Sequence, residues 1–305
     1  MTIFYSHRLI SRRWICSIVG MVIAPTLALA DPGATTRPEA EPATLPSVNF
    51  LGLDAAPMHD PLISDRPDFT ESSVVVPFGH AQLEGGYTFT YDREDDVRTR
   101  DQTFPEFLLR AGLAKDWELR VGWVGWSLTN EFFHERDRRN RPIDVKEHDD
   151  AATDTSLGFK VHLWEQKGLI PDFGVIGELS IPSGATSKTS GDVDPQVKLL
   201  WSYELTERFS LSGNVNLGVP TSEGQRFFQT AASISLCYGI TDWLSNYVEY
   251  FGFYPNDRGT DGAHSVNGGF TFLINNNLQF DVRTGVGLNE EADDFFTGAG
   301  FVIRW

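Results

Sequence analysis

The residues with chemistry to explain are charged side chains recurring at every second position within otherwise apolar stretches. Glu106 and Arg110 sit in "PEFLLRAGLA", Glu118 and Arg120 in "WELRVGW", and Lys160 and His162 in "FKVHLW". Glu178 lies in "VIGELSI", Asp194 and Lys198 in "DPQVKLLW", Asp281 and Arg283 in "FDVRTGV", and Arg304 in "FVIRW". On a strand, that spacing sends the ionisable groups to one face and leaves the other face apolar. Because both signs are present, the set is able to order water and orient a solute with one polar end, as charged pore linings do. The same groups also read as ion pairs bracing a narrow interior, and the residues alone leave the two readings open.

Catalytic chemistry finds less support. Neither His162 nor His264 has a serine and an acidic or amide partner at a matching depth, and no G-x-S-x-G or H-E-x-x-H occurs. A lipid hydrolase working at a membrane surface is therefore a minor alternative, and no enzyme activity is expected. Beyond Cys16 the chain holds only Cys237, so no internal disulfide is available. The acidic runs "EDD", "KEHDD" and "NEEADD" match no calcium-loop template and read as solvated charge that draws cations to a mouth. No metal and no cofactor is expected.

The elements that must position these groups are strands. In "FSLSGNVNLGV" (209–219) large apolar residues and small or polar ones alternate with period two, which a helix would scatter around its circumference. Twelve such segments follow one another: 80–91, 103–113, 117–127, 153–164, 171–182, 193–203, 208–219, 226–238, 243–254, 263–274, 278–288 and 295–305. Their lengths match the roughly 9–11 residues with which a tilted strand crosses a bilayer. Connections alternate as well: "AKD", "ELTE", "GITD" and "NNN" are short, whereas the intervening ones, including Leu128 to Ala152, are long and polar. Short turns at one rim and long loops at the other are the pattern of an outer-membrane barrel. Trp117, Trp164, Tyr203, Tyr238, Trp243 and Trp305 all fall at the short-turn end, as an interfacial aromatic ring would. The expected fold is an all-β, transmembrane, antiparallel up-and-down barrel of about twelve strands over residues 80–305, with its first strand paired to its last.

What precedes the barrel divides into three. Residues 1–30 carry a basic start (His7, Arg8, Arg12, Arg13), an apolar run and "ALA" before Asp31, which reads as a signal peptide cleaved after Ala30. Residues 31–48 are a proline-rich linker. Residues 49–79 form an N-terminal extension in which Asp65, Arg66, Asp68 and Glu71 are concentrated in "SDRPDFTES". This extension either folds back into the lumen as a plug or caps the periplasmic rim. A net charge of −17 repels the phosphate backbone of a nucleic acid, so no nucleic-acid partner is expected.

The stretches "DRPDFTESSVVVPFGHAQLEGGYTFTYD", "PEFLLRAGLAKDWELRVGW", "GDVDPQVKLLW" and "YGITDWLSNYVEYFG" occur in an order that resembles the outer-membrane family of the MetA pathway of phenol degradation. The resemblance spans about Asp65 to Trp305. It implies an exported barrel of the outer membrane that passes small, aromatic or hydrophobic molecules, with outer-membrane lipids and such solutes as its partners. A closed structural barrel remains the alternative. Phe301, Ile303 and Trp305 resemble the carboxy-terminal signal that barrel-assembly machinery recognises.

Overall fold

The computed structural model describes residues 48–49, 54–94, 97–136, 142–222, 224–255 and 261–305. The signal-peptide expectation for 1–30, and nearly all of the linker, lie outside the described residues.

All the regular structure in these segments is β: β1 (Ala81–Glu94), β2 (Val97–Ala114), β3 (Trp117–Arg136), β4 (Pro142–Ala152), β5 (Thr155–Trp164), β6 (Asp172–Ile181), β7 (Asp194–Glu204), β8 (Phe209–Gly218), β9 (Thr221–Ser222), β10 (Gln225–Arg226), β11 (Gln229–Gly239), β12 (Leu244–Pro255), β13 (Ala263–Asn275), β14 (Leu278–Gly287) and β15 (Phe295–Arg304). Twelve of them close into one antiparallel barrel, each pairing with the next in sequence across β4, β9 and β10. The seam joins β1 to β15 from Gln82↔Arg304 to Tyr91↔Phe295, and reciprocal bonds between Ala81 and Trp305 extend it. Closure leaves no unpaired edge in the wall, which lipid requires because no water is there to satisfy an open one.

Alternation sorts the side chains as the sequence expects. On β12, Tyr247, Glu249 and Phe251 are buried while Val248 is 58% exposed. Phe159, Val197, Leu236, Phe270, Phe280 and Ile303 are exposed on the outer surface. Trp117, Trp164 and Trp243 stand at the short-turn rim, and Phe104, Trp126, Phe228 and Phe295 make a second aromatic level toward the other rim.

The structure departs from the sequence reading in three places. The connections read as polar loops at 92–102 and 128–152 are largely strand: β2 and β3 run on past the barrel, and β4 pairs with the extension of β3 from Trp126↔Ala152 to Arg136↔Pro142. Above the lipid level both faces of a strand meet water, so the apolar alternation that marks a strand disappears while the backbone ladder continues. A short hairpin, β9 with β10, was likewise unmarked. Lastly, β2 bulges against β1, where the register shifts between Glu84↔Leu108 and Thr88↔Thr103; within that stretch Glu106 has φ 49°, and Gly125, opposite Pro105 on β3, has φ 98°. Phe104 and Phe107 both face outward although three positions apart, so the inward residues change parity across the bulge.

Candidate functional site

Residues 61–80 run inside the barrel. The segment enters at the short-turn rim, where Leu62 N–H donates to the Asn276 carbonyl at 2.8 Å and Arg304 donates to the Asp60 carbonyl at 2.6 Å. It rises to a tip at Asp68–Glu71 and returns to β1, touching the wall by a single bridge at Phe78↔Gly112. No other β-ladder among the described residues ties it to the wall. Side chains do that work.

Asp65 is the centre. Lys160 Nζ donates to its two carboxylate oxygens at 2.9 and 2.8 Å, Arg120 donates at 2.5 Å, and Arg110 lies at 3.5 Å. Arg110 and Arg120 also both donate to Glu118 at 2.9 Å, and Glu118 accepts the Val76 N–H at 2.8 Å. Glu84 accepts from Arg110 at 3.0 Å and from the Asp65 N–H at 3.2 Å. Glu71 holds Arg120 at 2.8 Å and Lys198 at 3.0 Å, with Glu178 3.9 Å from the same lysine. Carboxylates and cations alternate through this network, the only way so many charges tolerate removal from water.

A second set holds the other side of the segment. Arg66 pairs with Glu106 at 3.1 Å and Asp281 at 3.5 Å. Arg283 donates to the Pro67 carbonyl at 2.8 Å and to Thr88 at 2.9 Å. The tip hangs on Glu249, which accepts the Phe69 N–H at 2.8 Å, the Thr70 N–H and hydroxyl at 2.7 Å each, and the Asn267 amide at 2.7 Å. Phe69 stacks on Phe251 at 5.0 Å and meets Phe253 edge-on at 5.4 Å, and Phe251 in turn meets Phe296 at 6.0 Å. An apolar shelf therefore covers the tip on its outer side.

Electrostatics follow from these neighbours. Burial alone would raise the Asp65 carboxyl, but Arg110, Lys160 and Arg120 outweigh it and hold the group far below the usual carboxylate range. At Glu71 burial is likewise overcome, by Lys198 and Arg120, and the pKa falls from 4.5 to about 2. Asp68 goes the other way, because burial and the neighbouring Glu249 both favour its neutral form.

The structure thus places all the predicted lining residues inside, but not in one group. Arg110, Glu118, Arg120 and Lys160 surround Asp65; Glu178 and Lys198 meet at Glu71; Glu106 and Asp281 meet at Arg66. His162 stands apart near the short-turn rim, 3.2 Å from Asp172. Asp194 bonds Thr221 at 2.7 Å toward the opposite rim. Glu84 is not among the residues the sequence singles out, although Gln82, Glu84 and Thr88 share the inward phase of β1. Glu249 has the inward phase on β12, but aromatic residues on both faces of that strand mask its alternation.

A closed twelve-stranded barrel with an apolar outer surface, two aromatic levels and an ionised interior is an integral outer-membrane protein. The chain belongs to the family described as Putative MetA-pathway of phenol degradation, whose model matches residues 64–305. Its fold is similar to an outer-membrane channel from Pseudomonas putida F1, at 12% identity and a TM-score of 0.51, over 76% of this chain and 97% of that one. The translocator domain of the autotransporter NalP from Neisseria meningitidis also matches, at 8% identity and a TM-score of 0.47, over 74% of this chain and 88% of that one. Comparison with curated proteins finds no match.

Proposed function

We propose that the protein is a passive channel of the outer membrane for small molecules, that residues 61–80 plug its periplasmic half, and that aromatic or hydrophobic compounds are its solutes. The observation that carries this is how the segment is held. From Ile63 to Val76 it is attached through side chains and not by strand pairing, so it can shift without breaking the wall. Phe69 at the tip and Phe253 beside it are half-buried, backed by the buried Phe251 and Phe296, and offer a planar apolar solute a stacking surface. The family's description, which refers to phenol breakdown, agrees with that class of solute. Residues 1–30 direct export and are removed after Ala30, and β15 with Phe301, Ile303 and Trp305 presents the strand that the assembly machinery engages.

The test combines single-channel recording with swelling of vesicles in benzoate, an aromatic anion that crosses lipid slowly. Wild-type barrels should pass small currents and admit benzoate, and Thr70→Ala, which removes the tip's hydroxyl bonds to Glu249 and Ser233 and leaves the two backbone bonds to Glu249, should raise both. A protein that passes neither current nor benzoate, with or without that substitution, is the closed structural barrel.

A further inference from the structure

The extension of β1 to β4 beyond the outer aromatic level has two faces of opposite charge. The face continuing the lumen carries Asp101, Glu131, Glu147 and Asp149, aligned by the pairings Asp101↔Thr129↔Asp149 and Glu131↔Glu147. The face continuing the lipid-facing surface carries Arg93, Arg98, Arg100 and Lys146 against Asp144 and Asp150, a net positive face in a chain whose net charge is −17. Parity fixes these assignments: Tyr87, Gln102 and Trp126 lie outward below them, and Thr88 and Ser127 lie inward.

On that outward face Arg93 sits directly opposite Arg98 in the antiparallel pair, and Arg100 is on the next outward rung. Like charges directly opposite are destabilising. No ion pair among the described residues neutralises Arg93, Arg98, Arg100 or Lys146. Arg100 lies over the Phe132 ring at 5.3 Å and Lys146 over the same ring at 5.5 Å, so the aromatic holds two cations without cancelling their charge. Arg98, Phe132 and Lys146 line a small open pocket there, whose one carboxylate is Asp144. His148 joins the face, bonded to Asn130 at 3.1 Å and beside Asp150.

We infer that this outward face is a binding site for the phosphorylated sugar headgroup of an outer-leaflet glycolipid, with Arg98, Arg100 and Lys146 as phosphate ligands and Phe132 as a platform for the sugar. Height selects the ligand. Arg98 and Phe132 lie six residues beyond Phe104 and Trp126, which at about 3.3 Å per residue and a tilt near 40° places them roughly 15 Å above the aromatic level. The headgroup layer of an ordinary phospholipid is only about 5–8 Å deep. A sugar headgroup bearing phosphates reaches the arginines, and a glycerophospholipid phosphate does not. The planar guanidinium fork suits phosphate oxygens, and the site looks sideways into the leaflet and away from the solute path.

The experiment uses full-length mature protein in phosphatidylcholine vesicles doped with one of three probes: a lipooligosaccharide carrying core phosphates, the same lipid after enzymatic removal of its phosphates, or phosphatidylglycerol. The lipid retained per barrel is counted by native mass spectrometry. The phosphorylated lipooligosaccharide should be retained. Dephosphorylation, or the triple substitution Arg98→Gln, Arg100→Gln and Lys146→Gln, should each weaken retention by at least about tenfold. Glu131→Gln with Glu147→Gln, on the opposite face, should leave retention unchanged. Equal retention of the dephosphorylated lipid or of phosphatidylglycerol overturns the inference, as does unaltered retention by the triple variant. Should that variant not fold, wild-type retention decides: it must fall as salt rises from about 50 to about 500 mM, and must fail for the dephosphorylated lipid.

Discussion

Asp65 accepts bonds from Lys160 and Arg120 and lies against Arg110, so its charge is the one the network can least spare. Removing one partner of a buried pair costs about 3–5 kcal/mol, because the others are left uncompensated. Asp65→Asn should therefore loosen residues 61–80 while the ladder of the wall persists. Limited proteolysis from the periplasmic side should cut the variant in this segment and spare the wild type. Acidity should act in the same direction. The depressed carboxyls of Asp65 and Glu71 stabilise docking above their ordinary pKa, and for Glu71 that contribution is lost as the pH falls from 4.5 toward about 2. Asp68 has the opposite sign. Its raised pKa means that docking is favoured while it is protonated and weakens as the pH rises through its value in the folded protein. Conductance should consequently be lowest at intermediate pH and rise toward both extremes. A profile that changes in one direction only would mean that one of these two anchors does not hold the segment.

At the scale of elements, the barrel strands were legible because each separates lipid from an ionised interior, so the period-two pattern is nearly pure. "FSLSGNVNLGV" became β8 within a residue of its expected bounds. The extensions of β2 and β3 and the whole of β4 were not legible, since "KEHDD" is polar on both faces and only the neighbouring backbone makes it a strand. For the candidate site, the wall charges were visible in strand phase. What they touch was not, because a segment without periodicity gives no sign of which strand will face it. Whether that segment moves can be tested directly. The hydroxyls of Ser73 and Ser202 are 3.2 Å apart, one on the returning arm of the segment and the other on β7. In a Cys237→Ser background, Ser73→Cys with Ser202→Cys should form a disulfide that holds conductance at its minimum at every pH, and reduction should restore the wild-type profile. If the oxidised and reduced forms conduct alike, solutes pass a fixed segment.

The whole molecule depends on its seam. The other eleven pairings of the barrel join strands that follow one another directly or across β4 or the β9–β10 hairpin, whereas β1 and β15 are joined only when the rest is in place, as the longest-range strand pairing among the described residues. Loop closure over that separation is the slow, entropically costly step. Trp305 exchanges backbone bonds with Ala81 at 2.9 and 3.0 Å, extending the ladder by one rung at the rim where Trp117 and Trp243 also stand. Its side chain adds interfacial area at one end of the last strand, while the backbone bonds of the seam do not depend on which side chain it carries. Trp305→Ala should therefore change the assembly rate far more than the stability of the finished barrel. In vesicles containing the assembly complex, the variant should fold several-fold more slowly. The heat-induced mobility shift of the completed barrel should move by only a few degrees, as roughly 1 kcal/mol does in a domain of this size. A variant that folds at the wild-type rate but melts much earlier would reverse the assignment. Trp305 would then be a rivet of the finished seam, and the strand the machinery recognises would have to be sought elsewhere in the wall.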